Sequence, residues 1–359
     1  MKNIKAICNE RFALQQEYLG KKKIVNTIEP LVSVTVTTYQ HAPYIMDCLK
    51  GILMQKTIFP FEIIIGDDES TDGTREICIE FAAKHPDKVR LFLRERKISQ
   101  LIDENDGIVT IFNGIWTKLS ARGKYIAWCD GDDYWTDPFK LQKQVSFLED
   151  NEDYVLCFHD SIVVDKSNKV ISNSCFNNEC SDYCKDILLA GPGIPTNTAL
   201  FRNIIDYPEF YFKVQNEDIA FWHLLGFHGG GKFIANINNS VYRHHDEGLW
   251  SSLSKVEKIK SLIASRTVIK NNIIMCKGYS HNTVTTLNRR IRILRLKYLY
   301  QYIKKIPFVG HIIRNLVGYI IRNLRSHKTT RSYLKKYYKF LLLVFVFHTT
   351  IIFFRILYF

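Results

Sequence analysis

Hydrophobic and polar positions alternate between two rhythms over the first half of the chain. A β-branched run, Leu31-Val-Ser-Val-Thr-Val-Thr-Thr38, predicts a strand, and Ile45, Leu49, Ile52 and Leu53 then recur at helical spacing within residues 43–55. Phe61-Glu-Ile-Ile-Ile65 predicts a second strand that ends in the polar stretch Gly66-Asp-Asp-Glu-Ser-Thr-Asp-Gly73. A helix over 74–84, a strand over 89–93, a helix over 110–121 and a strand over 125–129 follow. Strands alternating with helices of this length make βαβ units, so the expected fold class is α/β with a mainly parallel central sheet buried between helices. Such sheets bind ligands at the carboxyl ends of their strands. Residues 1–29 are polar, with some amphipathic character, and read as a helix or a loose lead-in ending at Pro30.

Three of those carboxyl ends carry candidate chemistry: Thr37-Thr-Tyr39, Asp67-Asp68 and Asp130-Gly-Asp-Asp133. Asp, Gly and Ser are ordinary turn residues, so each motif alone is also a turn. Two acid clusters at one sheet edge are a different matter, because like charges packed together need a cation or ligand to offset them. Hard carboxylate oxygens in an Asp-x-Asp pair suit Mg2+ or Mn2+ held jointly with substrate phosphates.

Composition sharpens the picture. The chain has 359 residues and a formal net charge of +13, with 46% hydrophobic residues, which excludes a disordered tail or a disulfide-stapled miniprotein. Glu257 is the last acidic residue, and 21 Lys or Arg follow it, leaving 28 basic against 36 acidic residues in the first 257. An acidic body is therefore joined to a strongly basic tail. The nine scattered cysteines read as reduced thiols, and the spacing of Cys175, Cys180 and Cys184 does not match a zinc knuckle. Met1 to Lys23 lacks the apolar run of a signal peptide, so the bulk is expected on the cytosolic side.

Val32-Ser-Val-Thr-Val-Thr-Thr-Tyr39, Cys48-Leu-Lys-Gly-Ile-Leu-Met-Gln55, Phe61-Glu-Ile-Ile-Ile-Gly-Asp-Asp-Glu-Ser-Thr-Asp-Gly-Thr74 and Gly123-Lys-Tyr-Ile-Ala-Trp-Cys-Asp-Gly-Asp-Asp-Tyr-Trp135 resemble, in order and spacing, the nucleotide-sugar half of family 2 glycosyltransferases with the GT-A fold. The resemblance spans residues 31–250. It implies that Thr38 and Tyr39 line the nucleotide pocket, that Asp67 or Asp68 contacts base or ribose, and that Asp130 and Asp132, or Asp133, hold metal and ribose-diphosphate. Asn216-Glu-Asp-Ile-Ala-Phe-Trp222 resembles the family's Glu-Asp motif. That makes Asp218 the candidate general base for an inverting transfer and Glu217 its neighbour, although acids also favour a helix start for dipole reasons. Tyr242-Arg-His-His-Asp246 resembles a segment that places His245 near the metal or diphosphate; a surface His pair is the competing reading. Gly193-Ile-Pro-Thr-Asn-Thr198 falls where an acceptor pocket is built. Gly66 and Glu69 depart from the family pattern, which has a hydrophobe and a Gly around the Asp pair. No Gln-x-x-Arg-Trp signature of processive synthases follows Asp218, which argues for addition of a single sugar.

The expected organisation is a lead-in at 1–29, a GT-A domain at 30–255 and a basic helical, membrane-associated tail at 256–359. Within the tail, residues 306–324 pattern as an amphipathic helix with a cationic face. Residues 340–359 form an apolar segment that either spans a bilayer or lies in its interface. The expected partners are a nucleotide-sugar donor, with UDP favoured, a glycan or lipid-linked glycan acceptor, and an anionic membrane surface at its cytoplasmic face. Nucleic acid is disfavoured by the aliphatic residues between the tail's charges. The alternative function is membrane or nucleic-acid binding through that tail without catalysis.

Overall fold

The computed structural model describes residues 3–21, 23–102, 109–176, 181–246, 248, 250–275 and 281–303. Contacts divide the chain into residues 1–287 and 288–359. The first unit begins with α1 (Ile4–Phe12), whose cap Asn3 accepts a hydrogen bond from the Ala6 amide. Then β1 (Val32–Thr38), α2 (Ile45–Leu53), β2 (Phe61–Asp68), α3 (Thr74–Lys84) and β3 (Val89–Arg94) form two consecutive βαβ units. A short helix, α4 (Arg96–Ser99), and a hairpin of β4 (Gln100–Ile102) and β5 (Val109–Ile111) lead into α5 (Asn113–Leu119). The chain returns as β6 (Tyr125–Trp128), parallel to β1 on the side opposite β2.

Beyond β6 the order is α6 (Lys140–Asp150), β7 (Tyr154–Phe158), β8 (Ser161–Asp165), β9 (Val170–Ser172), α7 (Lys185–Leu189), β10 (Leu200–Arg202), α8 (Glu217–Leu225), β11 (Gly230–Phe233), β12 (Ser240–His244) and α9 (Lys255–Met275). A further helix, α10 (His281–Ile303), follows. The main sheet runs β11-β7-β10-β6-β1-β2-β3, and β10 is antiparallel to both neighbours. A second sheet, β12-β8-β9, pairs β12 parallel to β8. The expected parallel α/β sheet is present.

The period of two in the strands sorts side chains onto two cores. Val32, Val34 and Val36 of β1 and Ile63 and Ile65 of β2 pack with Leu49 and Ile52 of α2 and Leu141 and Leu148 of α6. On the other face Ile126 and Trp128 of β6 pack with Trp116 of α5 and with Phe221, Trp222 and Leu225 of α8. That second cluster also holds Cys8 of α1, whose carbonyl accepts from the Trp116 indole at 3.2 Å.

Several expected elements shift. Residues 3–21 pack on the body: the amides of Ile4 and Lys5 donate to Glu209, and Tyr18 N donates to Leu91 O of the edge strand. The helix expected from 110 starts at Asn113, because residues 109–111 pair as a strand first. The second strand does not stop at Ile65 but continues through Asp68, with Asp67 opposite Leu93 and Asp68 opposite Arg94. Residues 306–324 and 340–359 lie outside the described residues. Among the described residues no helix is long and apolar enough to cross a membrane.

Candidate active site

Parallel pairing of β2, β1 and β6 brings their carboxyl ends to one edge, where a cavity of about 420 Å3 opens. Thr37, Thr38 and Tyr39 line it from β1, Asp68 from β2, and Asp130, Asp132 and Asp133 from the loop after β6. Glu217 at the start of α8 and Tyr242 of β12 complete the opposite wall.

The carboxylates have distinct surroundings. Asp130 is tied down: Thr37 Oγ1 and the Trp128 indole (3.0 Å) donate to one oxygen and Thr196 Oγ1 (3.1 Å) to the other. Burial, with Asp132 beside it, pushes its carboxyl up. Burial also works to raise Asp132, but His41 and His245 outweigh it and hold that carboxyl low. Asp133 is buried and faces the protein, accepting the Arg243 amide at 2.9 Å; burial and the neighbouring Asp132 push it well up. The geometry therefore brings Asp132 and His245 together, with His245 Nε2 3.0 Å from the Asp132 carboxylate, and leaves Asp130 and Asp133 in structural hydrogen bonds. The sequence expectation for metal spread over all four.

At the end of β2, Asp68 lines the cavity and accepts from Ser99 Oγ, with Arg96 Nη1 at 3.2 Å. Burial pushes the Asp68 carboxyl up. Asp67 points the other way, as its alternation along β2 demands, and pairs with Arg75 Nε at 2.6 Å. Tyr39 offers a ring face over which the Arg96 guanidinium sits at 3.8 Å. Thr38 is buried against Gly131, where a Cβ would come within 2.8 Å of Thr38 Oγ1.

The departure at Gly66 has a physical reason. The space a Cβ would need there is taken by the guanidinium of Arg94 and by the side chains of Asn113 and Thr117. Arg94 is 2% exposed and donates to the Asn113 carbonyl and side chain and to Thr117 Oγ1. Burial lowers it to about 9. Asn113, which lines the cavity, returns a bond from Nδ2 to the Gly66 carbonyl at 3.0 Å.

Across the cavity, Glu217 is paired with Lys118 Nζ at 2.8 Å and accepts from the Tyr211 hydroxyl at 3.1 Å. Lys118 is 1% exposed and lies 3.4 Å over the Trp128 ring. Asp218 is half-buried and is not among the residues lining the cavity. Its carboxyl is pushed up from 3.8 to about 6 by burial, against the opposing pull of the Ile219 amide and Arg266, with Glu217 and Asp130 adding to the rise. The start of α8 is held by α9, since Ser261 and Ser265 both donate to the Asn216 side-chain oxygen.

Two side chains that sequence reasoning passed over organise the site. Arg243, 1% exposed, reaches Asp132 O (3.1 Å), Asn168 (2.6 Å) and Asp47 (3.3 Å), and so clamps β12 to the acidic loop. It sits inside the quoted Tyr-Arg-His-His stretch, which was the available signal. His41, two residues beyond Tyr39, places Nε2 3.9 Å from the Asp132 carboxylate. Thr196, from the segment assigned to the acceptor pocket, bonds Asp130 instead of standing free.

A mainly parallel sheet whose strand ends converge on an acid-lined cavity is the arrangement expected of a GT-A fold. Residues 33–102 and 116–205 match the family model described as Glycosyl transferase family 2. An uncharacterised protein of Mycobacterium tuberculosis is 36% identical over 223 residues, covering 62% of this chain and 61% of that protein. The Bacillus subtilis protein TuaG, named for teichuronic acid biosynthesis, is 35% identical over 33% of this chain and 42% of its own length. In fold, the structure of Staphylococcus aureus TarS residues 1–349 aligns with a TM-score of 0.50 and 16% identity, over 82% of this chain and 87% of that one. The same TarS segment has been solved in complex with UDP-GlcNAc. The chain thus spans about three-fifths of the mycobacterial relative's length.

Proposed function

We propose that the chain is an inverting, metal-assisted glycosyltransferase that moves a sugar from a nucleotide donor, UDP-linked in preference, to a glycan or lipid-linked glycan acceptor. The observation that carries this is one cavity in which Tyr39 and Asp68 share the walls with Asp132, against which His245 is set, with Glu217 at the start of α8 opposite and Asp218 beside it in the chain. Tyr39 offers a stacking face for the base, and Asp68 an acceptor for a base or ribose donor. Asp132 and His245 would hold a divalent ion, which supplies charge neutralisation for the departing diphosphate. The residues fit such an ion, because a hard carboxylate oxygen and an imidazole nitrogen meet there.

Asp218 is the proposed base. A carboxylate with its proton affinity raised toward neutrality takes the proton from the acceptor hydroxyl as that oxygen attacks the anomeric carbon from the side opposite the diphosphate. Glu217 is the second reading for this role, favoured by its place in the cavity wall; its engagement with Lys118 and Tyr211 suits a supporting part better. Release of UDP or GDP from a panel of nucleotide sugars, with acceptor and with Mn2+ or Mg2+, tests the reading. Undiminished transfer by both Asp132→Ala and Asp218→Ala proteins would sink it. The basic tail is proposed to bring this site to the cytoplasmic face of an anionic membrane.

A further inference from the structure

Resting on the reading of this cavity as a donor site, we infer that His41 is a third protein ligand to the ion, and that the centre therefore prefers Mn2+ to Mg2+.

His41, Asp132 and His245 each present one ligand atom, and these atoms all lie within 4.8 Å of one another. His245 Nε2 is 3.0 Å and His41 Nε2 3.9 Å from the same Asp132 oxygen. Metal–nitrogen and metal–oxygen bonds of about 2.0–2.2 Å set neighbouring ligands about 3 Å apart and opposed ones about 4 Å apart. The separations of both imidazole nitrogens from the Asp132 oxygen are thus already those of ligands in one coordination sphere. The rings are positioned from different parts of the chain, His41 from the loop after β1 and His245 just past β12, and their centroids are 5.9 Å apart, edge to face. On each ring Nδ1 is buried and meets no hydrogen-bond partner, and the polar contact of His245 Nε2 is with Asp132, itself one of the three ligands. Gly131 leaves the room for this, since a Cβ there would stand 3.0 Å from His41 Nδ1.

The donor set decides the metal. Two imidazoles and one carboxylate are a borderline-soft set, whereas Mg2+ keeps water and hard oxygen and is held by one or two carboxylates plus phosphates. Two neutral nitrogens also leave the protein's charge contribution at one, so the ion keeps positive charge for the diphosphate.

The test is a titration of the full chain with Mn2+ alone, followed by electron paramagnetic resonance, with Mg2+ as competitor. Pulsed spectra of bound Mn2+ are expected to show two imidazole nitrogens in the parent protein and one in His41→Gln. Mn2+ affinity should fall at least tenfold in both His41→Gln and His41→Ala, and Mg2+ should displace Mn2+ only in large excess. His244→Ala, an exposed neighbour, should bind as the parent does. A parent spectrum with one nitrogen, an unchanged affinity in the His41 variants, or equal competition by Mg2+ overturns the inference. The donor-site reading fails separately: no transfer or hydrolysis of any nucleotide sugar, with the two-nitrogen signature intact, would refute that reading and leave the metal centre standing.

Discussion

Replacing Asp218 by Asn should abolish transfer and at the same time make the protein more stable. The carboxyl is raised from 3.8 to about 6, chiefly by burial. A tenfold change in proton affinity is worth about 1.36 kcal/mol, so holding this group ionised at neutral pH costs up to about 3 kcal/mol. Asp218 is only half-buried, so solvent screening brings the expected gain down to about 1–2 kcal/mol. The folded state binds this proton more tightly than the unfolded chain, so stability is lost as pH rises between about 3.8 and 6. The penalty is complete above that window and absent below it. Urea denaturation of both proteins at about pH 7.5 and near pH 3 checks this: Asp218→Asn should be more stable at the higher pH and indistinguishable from the parent at the lower. The same raised affinity sets the acid limb of the rate. The parent kcat/KM should fall tenfold per pH unit below about 6, where an unperturbed aspartate would hold the limb near 4. Equal stability at the higher pH, or a limb at the unperturbed position, would refute the assignment of this environment to the base.

Gly66→Val places methyl groups where Arg94, Asn113 and Thr117 already meet; a loss of about 1–3 kcal/mol by urea denaturation and weaker donor binding by calorimetry are expected. Lys118→Met removes the cation from Glu217 but leaves that carboxylate partly in water, so a loss of about 1–2 kcal/mol is expected, with kcat falling more than KM rises. Deleting residues 304–359 should abolish cosedimentation with phosphatidylserine vesicles while leaving transfer to a soluble acceptor intact, and parent binding should weaken as salt is raised from about 0.1 to about 1 M.

Alternation of strand and helix was enough to read the parallel sheet and the crevice at its edge, because each βαβ unit carries its own period and its own polar loop. What could not be read is what depends on contacts distant in sequence. Asp67 and Asp68 look alike in a chain, yet β2 continues through both, and its alternation turns one to Arg75 and the other to the cavity. The three acids and His245 expected around the metal lie in two short stretches, but their surroundings differ: Thr37, Trp128 and Thr196 bond Asp130 and the Arg243 amide bonds Asp133, and all but Trp128 come from distant parts of the chain. His41 has no flanking pattern at all. The structural reason for Gly66 lies 28 residues further on, in an arginine whose burial no local pattern announces.

The first helix bears on how this domain can be cut or grafted. The family match begins at residue 33, but α1 supplies Cys8 to the core beside Trp116, and Arg11 donates at 2.8 Å to the carbonyls of Ile98 and Gln100, flanking Ser99, which bonds Asp68. A chimera joined at the first strand would strip a wall from its own hydrophobic interior and unfasten the rim of the crevice. Exchanges of donor specificity between relatives should therefore carry the residues from Asn3 onward together with the segment from Arg96 to Asn113, as one transferable piece.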